Sequence, residues 1–316
     1  MNLAHIHLLL NHFPTIGFAI GLCLYVAALA GKSDELKRAS FVIFFLIAVV
    51  AIPTYVSGNA AEETLCPPGD DGPSCPPGVS VARIRVHEDA ALLAFSFMEL
   101  TGFIAWIGLW QLRRISRLAP WSLASVFVLS ILTFTLMARA ANMGGEIRHS
   151  EIQSVQGEDA AASAVAKSFG LFVTDNAWVW PASETLHFVG LCMLFTVVLI
   201  VDLRMLGMAK SVPFASLYQL LPLGMLGFGV NLVTGMLFFI ATPGQYTQNG
   251  TFYWKIVLVV LAGINVLYFM LFDEPWAVEA GHDAPARAKV VAASAIFLWL
   301  GVLFCGHMLP FIGNAF

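Results

Sequence analysis

Eight long apolar stretches set the terms for this chain, falling at about 8–30, 40–56, 89–112, 119–142, 182–206, 217–241, 253–272 and 290–311. A helix that crosses the hydrocarbon core of a bilayer takes roughly 20 consecutive apolar residues, and each stretch has or approaches that length. The second and seventh are the shortest. All are continuous runs rather than ten-residue alternations, which argues against a membrane β-barrel. Composition agrees: 59% of the residues are hydrophobic and 11% charged, where a soluble domain carries about 25% charged residues. The expected fold is an all-α integral membrane protein with eight transmembrane helices. The first stretch lacks a basic leader and a small-residue cleavage site, so it is read as a retained helix rather than a signal peptide.

Basic residues orient the spans, because Lys and Arg concentrate in short cytoplasmic loops. Lys32, Lys37, Arg38, Arg113, Arg114, Arg117, Arg204, Lys210, Arg287 and Lys289 all follow odd-numbered spans and share one face. Arg83, Arg85, Arg139, Arg148, Lys167 and Lys255 are spread through longer segments or helix ends on the other. Both termini are therefore expected on the periplasmic side of a bacterial inner membrane. The polar interruption before the fifth span divides the chain into an N-terminal four-helix bundle (1–150), a periplasmic connector (151–181) and a C-terminal four-helix bundle (182–316). No residue-level repeat links the two halves. On the outer side, Cys66 and Cys75 bracket "CPPGDDGPSC", and an oxidising compartment favours a disulfide there.

Histidines follow the same asymmetry. His5, His7, His12, His87, His149, His187 and His307 map to the outer side or the outer half of a helix, and His282 alone falls in an inner loop. An interfacial imidazole that reaches water explains His5. Ionisable groups inside a span are functional candidates by default, which singles out His187 and His307. Two imidazoles from facing helices satisfy the iron of a six-coordinate b-type haem. In the first half the candidates are His7, His12, His87 and His149, with His12 and His87 the favoured pair. In the second half His187 and His307 stand at comparable depth. His7 and His12 are five residues apart and differ by about 140° around a helix, so one haem cannot take both as axial ligands. A copper or zinc site from His12, His87 and His149 is the competing chemistry. The covalent attachment pattern Cys-x-x-Cys-His is absent.

Haem propionates call for cations at the wet edge. Arg139, Arg148 and Arg85 are placed for that in the first half and Lys255 in the second. Glu99 sits near the middle of the third span, where a charge is costly; it is a candidate to relay a proton or bond a quinone head group. Phosphate-binding Gly-rich loops, zinc-protease motifs and hydrolase elbows are missing. A net charge of −4 in an apolar chain gives no reason to expect nucleic acid as a partner.

The arrangement His7-x4-His12-Phe13-Pro14, with "VSGNAAE" after the second span, His87 opening the third and "GGEIRHSE" after the fourth, resembles a family of uncharacterised bacterial four-helix membrane proteins over residues 5–150. Its usual His-Pro opening is His7-Leu8 here. Over residues 180–315, "ETLHFVGL", "DLRMLG" and "FYWKIVLV" resemble a second uncharacterised bacterial membrane domain, whose last helix carries Gly-Arg where this chain has Gly306-His307. Both are remotely similar to transmembrane b-type cytochromes. The first resemblance implies His7, His12, His87 and His149 as motif positions.

The sequence thus leads to an electron-transfer subunit with one or two b haems near the periplasmic face. It would work between the quinone pool and a periplasmic redox partner such as a c-type cytochrome, alone or within a quinone-linked oxidoreductase complex. Two alternatives stay open: a proton- or metal-coupled transporter, and a cofactor-free anchor of a larger respiratory complex.

Overall fold

A computed structural model describes residues 3–67, 73–147, 168, 170–272 and 274–312. Every regular element among them is helical, and eight helices are long and apolar enough to cross a membrane. The protein is a helical, multi-pass membrane protein. Large apolar side chains point outward along these helices, among them Ile16, Ile20, Leu100, Val128, Val233, Ile264 and Phe297. In water such a surface would drive aggregation; against lipid it is the matching solvent.

The chain divides into two compact units, Met1–Phe169 and Gly170–Phe316. The first unit contains α1 (Leu3–Leu10), α2 (His12–Ala30), α3 (Asp34–Leu65), α4 (Val81–Ile115) and α5 (Pro120–Glu146). Asn11 joins α1 to α2 with helical dihedrals, and its N–H donates to the His7 carbonyl at 2.8 Å, so the two act as one span. Ser33 starts α3 by accepting the Leu36 N–H at 3.2 Å, with Asp34 and Glu35 in the favourable first turn. Both α3 and α4 extend well past the apolar stretches that mark them. Their polar ends continue the helices beyond the length lipid requires.

In this unit α2 packs against α3 and α5, and α4 also packs against α3 and α5, while α1 lies on α3. The first span and α4 therefore stand on opposite corners. Aromatic rings fill the space between: Phe18 on Phe44 with centroids 4.9 Å apart, and Tyr55 stacked on Phe95 at 4.8 Å. Gly102 faces Ala48 and Gly108 faces the Phe41 ring too closely for any added Cβ, which lets α4 approach α3. At the end opposite the histidines, the Tyr25 hydroxyl donates to the Leu123 carbonyl at 2.8 Å and ties α2 to α5. Cys66 and Cys75 form a disulfide across the α3–α4 connection.

The second unit contains α6 (Val179–Met205), α7 (Phe214–Leu217), α8 (Leu221–Ala241), α9 (Pro243–Thr247), α10 (Gly250–Leu271) and α11 (Ala286–Met308), with α7 and α8 joined through a 3₁₀ turn at Tyr218–Leu220. Here α6 packs against α8 and α11, and α10 packs against α11. Gly190 and Gly227 bring α6 and α8 together, since a Cβ at Gly190 would lie 2.9 Å from the Gly227 carbonyl oxygen. Arg204 is fully buried. Its guanidinium donates to the carbonyls of Val212 at 2.7 Å, Glu279 at 3.2 Å and His282 at 3.3 Å, and sits 4.7 Å from the Phe214 ring centroid. This basic residue, counted in the sequence as a loop charge, is the pin that holds two loops together.

Candidate functional site

Two histidines of the first unit are held in the same way. His7 on α1 places Nδ1 3.0 Å from the carbonyl oxygen of Thr54 on α3. His87 on α4 places Nδ1 2.9 Å from the carbonyl oxygen of Ala140 on α5. A carbonyl only accepts, so each Nδ1 carries the proton and donates. The lone pair is left on Nε2. That tautomer is the one a metal-ligating histidine adopts when its far nitrogen is fixed by an outer acceptor. Pro53 removes a helical rung just before Thr54, and the Ser57 hydroxyl also donates to the Thr54 carbonyl, at 3.0 Å.

Each ring also lies against a glycine one helical turn beyond its acceptor. A Cβ at Gly58 would come within 2.9 Å of His7 Cε1, and a Cβ at Gly144 within 3.0 Å of His87 Cε1. No larger residue leaves the rings where they are. The helix that bears His7 packs on α3, and the helix that bears His87 packs on α3 and α5. Arg83 stands one turn before His87 on the same face of α4, and its buried Nη1 has no hydrogen-bond partner among the described residues. Asn11, one turn after His7, likewise has a buried and unpartnered Oδ1. Beside His87, Glu88 is hydrogen-bonded to Glu62 of α3 and feels the charges of Asp89 and Arg85.

The remaining candidates are placed differently. His5 and His12 are exposed, and the ring that turns into the unit is that of His7. The reason is packing: α1 lies on α3, and the side of the helix toward α3 is His7's, about 140° from His12's. Arg139 and Arg85 are also exposed, whereas Arg83 is partly buried. Arg148 and His149 lie outside the described residues. Among the described residues no group of three or more His, Cys, Asp or Glu side chains is arranged to hold a metal ion. Glu99 is buried in α4, 7% exposed, and its Oε1 has no hydrogen-bond partner. It lies about 18 Å along the helix from His87 by the helical rise.

In the second unit, His187 is half-buried on α6 and its Nδ1 is 2.7 Å from the Thr234 hydroxyl of α8. The Thr234 hydroxyl is also 2.7 Å from the Val230 carbonyl oxygen; its single proton goes either there, with His187 Nδ1 donating to it, or to His187 Nδ1. Phe238 meets the imidazole edge-on at 5.7 Å. His307 is exposed and faces Phe311, with ring centroids 5.6 Å apart. Lys255 of α10 lies by Gly306 of α11, where an added Cβ would be 3.7 Å from its Nζ. Nearby on α9, burial pushes the Tyr246 phenol up to about 12, with the Glu184 carboxylate adding to the shift.

Compared with protein-family models, curated proteins and solved structures, the chain matches none.

Proposed function

We propose that this chain is a membrane-integral electron-transfer subunit, built as two consecutive four-helix bundles, in which His7 and His87 are the axial ligands of a b-type haem. The observation that carries the reading is the matched pair of imidazoles on diagonal helices. Both have Nδ1–H fixed to a backbone carbonyl, both present Nε2 as the free lone pair, and both rest on a glycine. Two imidazoles so alike, each with Nδ1–H held by a backbone carbonyl, fit bis-imidazole ligation. Bound there, haem would supply one-electron chemistry. Arg83, with its unpartnered Nη1, is the cation for a propionate.

With both termini on the periplasmic side of a bacterial inner membrane, the ligand pair lies near that face. Electrons would then pass between the quinone pool and a periplasmic partner such as a c-type cytochrome, within or beside a respiratory complex. Glu99 would exchange the proton that accompanies quinone chemistry. Its unpartnered buried oxygen also favours one second reading, a proton-coupled transporter.

The test is a dithionite-reduced minus oxidised spectrum with haem quantitation on the purified full chain. The expected result is an α-band that His7→Ala and His87→Ala each diminish by one haem per chain, and that His12→Ala leaves unchanged. A preparation with no reducible chromophore, or one whose haem is indifferent to His7 and His87, overturns the reading. Uptake that depends on Glu99 in protein without chromophore would put the transporter in its place.

A further inference from the structure

The end of the first unit opposite the histidines gathers positive charge without matching negative charge. Two turns meet there: one with Lys32, Lys37 and Arg38 between α2 and α3, the other with Arg113, Arg114 and Arg117 between α4 and α5. Packing brings them together. A Cβ at Gly108 of α4 would strike the ring of Phe41, one turn beyond Arg38 on α3, and would lie 3.2 Å from Leu118 Cδ2 of the α4–α5 turn. The Tyr25 ring of α2 meets the same Phe41 with centroids 5.4 Å apart. Gln111 fixes the α4–α5 turn, its side-chain oxygen accepting the Ala119 N–H at 3.1 Å and the Ser122 hydroxyl at 2.8 Å. The six basic residues share this end with two acidic ones, Asp34 and Glu35, and Asp34 is taken up by Lys37 at 2.8 Å. Lys32, Arg114 and Arg117 are exposed and make no side-chain hydrogen bond or ion pair among the described residues.

The second unit treats its basic residues differently: Lys210 and Lys289 close on Asp283 at 3.0 and 3.4 Å, and Arg204 is buried on three carbonyls. In the first unit one of the unpaired cations is also kept at a cost. Lys32 holds φ at 52°, in the left-handed region that glycine enters without penalty. A lysine retained at a strained position points to a use for its ammonium. Apolar side chains are interleaved with the cations. Ile115 lies between Arg114 and Arg117, Trp121 follows on α5, and each is 51% exposed. Trp settles at the headgroup level of a bilayer, so these cations stand where phosphates stand.

We propose that this face binds an anionic phospholipid, its headgroup held by Lys32, Arg114 and Arg117 and its acyl chains against Ile115 and Trp121. The proposal is independent of the haem reading. Basic clusters at the end of a membrane helix attract anionic lipid by roughly fivefold in affinity per charge. Lipid fits better than a soluble acid because the cations are interleaved with apolar surface at the edge of the spans.

The test uses the full chain purified in detergent, with retained phospholipid identified by native mass spectrometry and affinity read by microscale thermophoresis. Phosphatidylglycerol is expected to bind about 100-fold more tightly than phosphatidylcholine, from three unpaired charges at roughly fivefold each, and 1 M salt should remove most of the difference. Arg114→Gln combined with Arg117→Gln is expected to weaken phosphatidylglycerol binding about 30-fold. Arg287→Gln, which removes an exposed cation from the second unit, should leave it unchanged. Lys32→Gly removes a charge and relaxes the turn, so affinity should fall about fivefold while the thermal midpoint holds or rises, a split that a purely structural lysine would not produce.

Equal affinity for the two lipids, a preference that survives these substitutions, or one lost equally in Arg287→Gln overturns the proposal. Inorganic phosphate that displaces phosphatidylglycerol at equal concentration would make the site one for a free anion. Polyglutamate bound as tightly as the lipid would make it a face for an acidic protein, and either result overturns the lipid.

Discussion

Gly58→Ala is the smallest change that probes how His7 is held. The added methyl carbon would lie 2.9 Å from His7 Cε1 and 3.2 Å from Nδ1, where unstrained carbon contacts begin near 3.5 Å. The ring must retreat from α3 by about half an ångström or more. Its bond to the Thr54 carbonyl, now 3.0 Å, then stretches beyond useful length and forfeits about 0.5–1.5 kcal/mol. Losing such an outer partner typically costs a ligand histidine 10–100-fold in metal affinity. The helix itself gains, since alanine exceeds glycine in helix propensity by roughly 1 kcal/mol. The variant is therefore expected to bind haem about tenfold more weakly or worse while its thermal midpoint without haem holds or rises. Haem titration followed at the Soret band gives the affinity, and differential scanning fluorimetry gives the stability. Nitrogen-15 NMR of labelled histidine is expected to show His7 protonated at Nδ1 in the parent chain even without haem. Unaltered affinity in Gly58→Ala, or a His7 ring protonated at Nε2, would refute the argument that this seat prepares the ligand.

Three further outcomes are expected. Arg204→Ala strands the carbonyls of Val212, Glu279 and His282 and should lower unfolding stability by about 3 kcal/mol or more, at ~1.5 kcal/mol for each bond to a charged donor; Arg204→Lys should recover little, because an ammonium cannot reach all three in one plane. Lys210, and then Lys289, hold the Asp283 carboxyl below the usual carboxylate range, at 3.0 and 3.4 Å. A lowered folded pKa stabilises above the unfolded value and the benefit fades as pH falls through the folded one, so Asp283→Asn should flatten the stability profile below about pH 4, and 1 M salt should mimic it. Glu99→Gln keeps the shape of a buried side chain and should leave haem content intact while slowing quinol-driven haem reduction by about 100-fold, the usual worth of a positioned acid or base; equal rates in stopped-flow would remove Glu99 from the proton path.

The spans were legible because hydrophobic runs of this length have one use. Their ends were not: the run 40–56 belongs to a helix that extends over Asp34–Leu65, since Asp34, Glu35, Lys37 and Glu62 are good helix residues that no apolar window registers. Helical spacing separated His7 from His12 by angle, but which of the two angles faces inward is set by how α1 lies on α3, a tertiary fact. Depth favoured His12; packing turned His7 inward. Gly58 and Gly144 stood inside the quoted strings "VSGNAAE" and "GGEIRHSE", yet nothing local shows that an imidazole from another helix lies on each. Arg83 carries a readable signal, its position one turn before His87. Lys255 has the sequence signature of a counter-ion near a helix end; that its Nζ lies by Gly306 of another helix is set by packing.

The length of α4 carries a mechanical consequence. Its 35 residues make a rod of about 52 Å, against roughly 30 Å of hydrocarbon. One unbroken helix thus bears both Glu99 and His87, with their axial spacing fixed by the backbone rather than by the lipid. Thicker or thinner bilayers can tilt such a rod, but they cannot stretch the interval between the carboxyl and the imidazole. α4 is a ruler, and the interval between the two side chains along it is written in residue count.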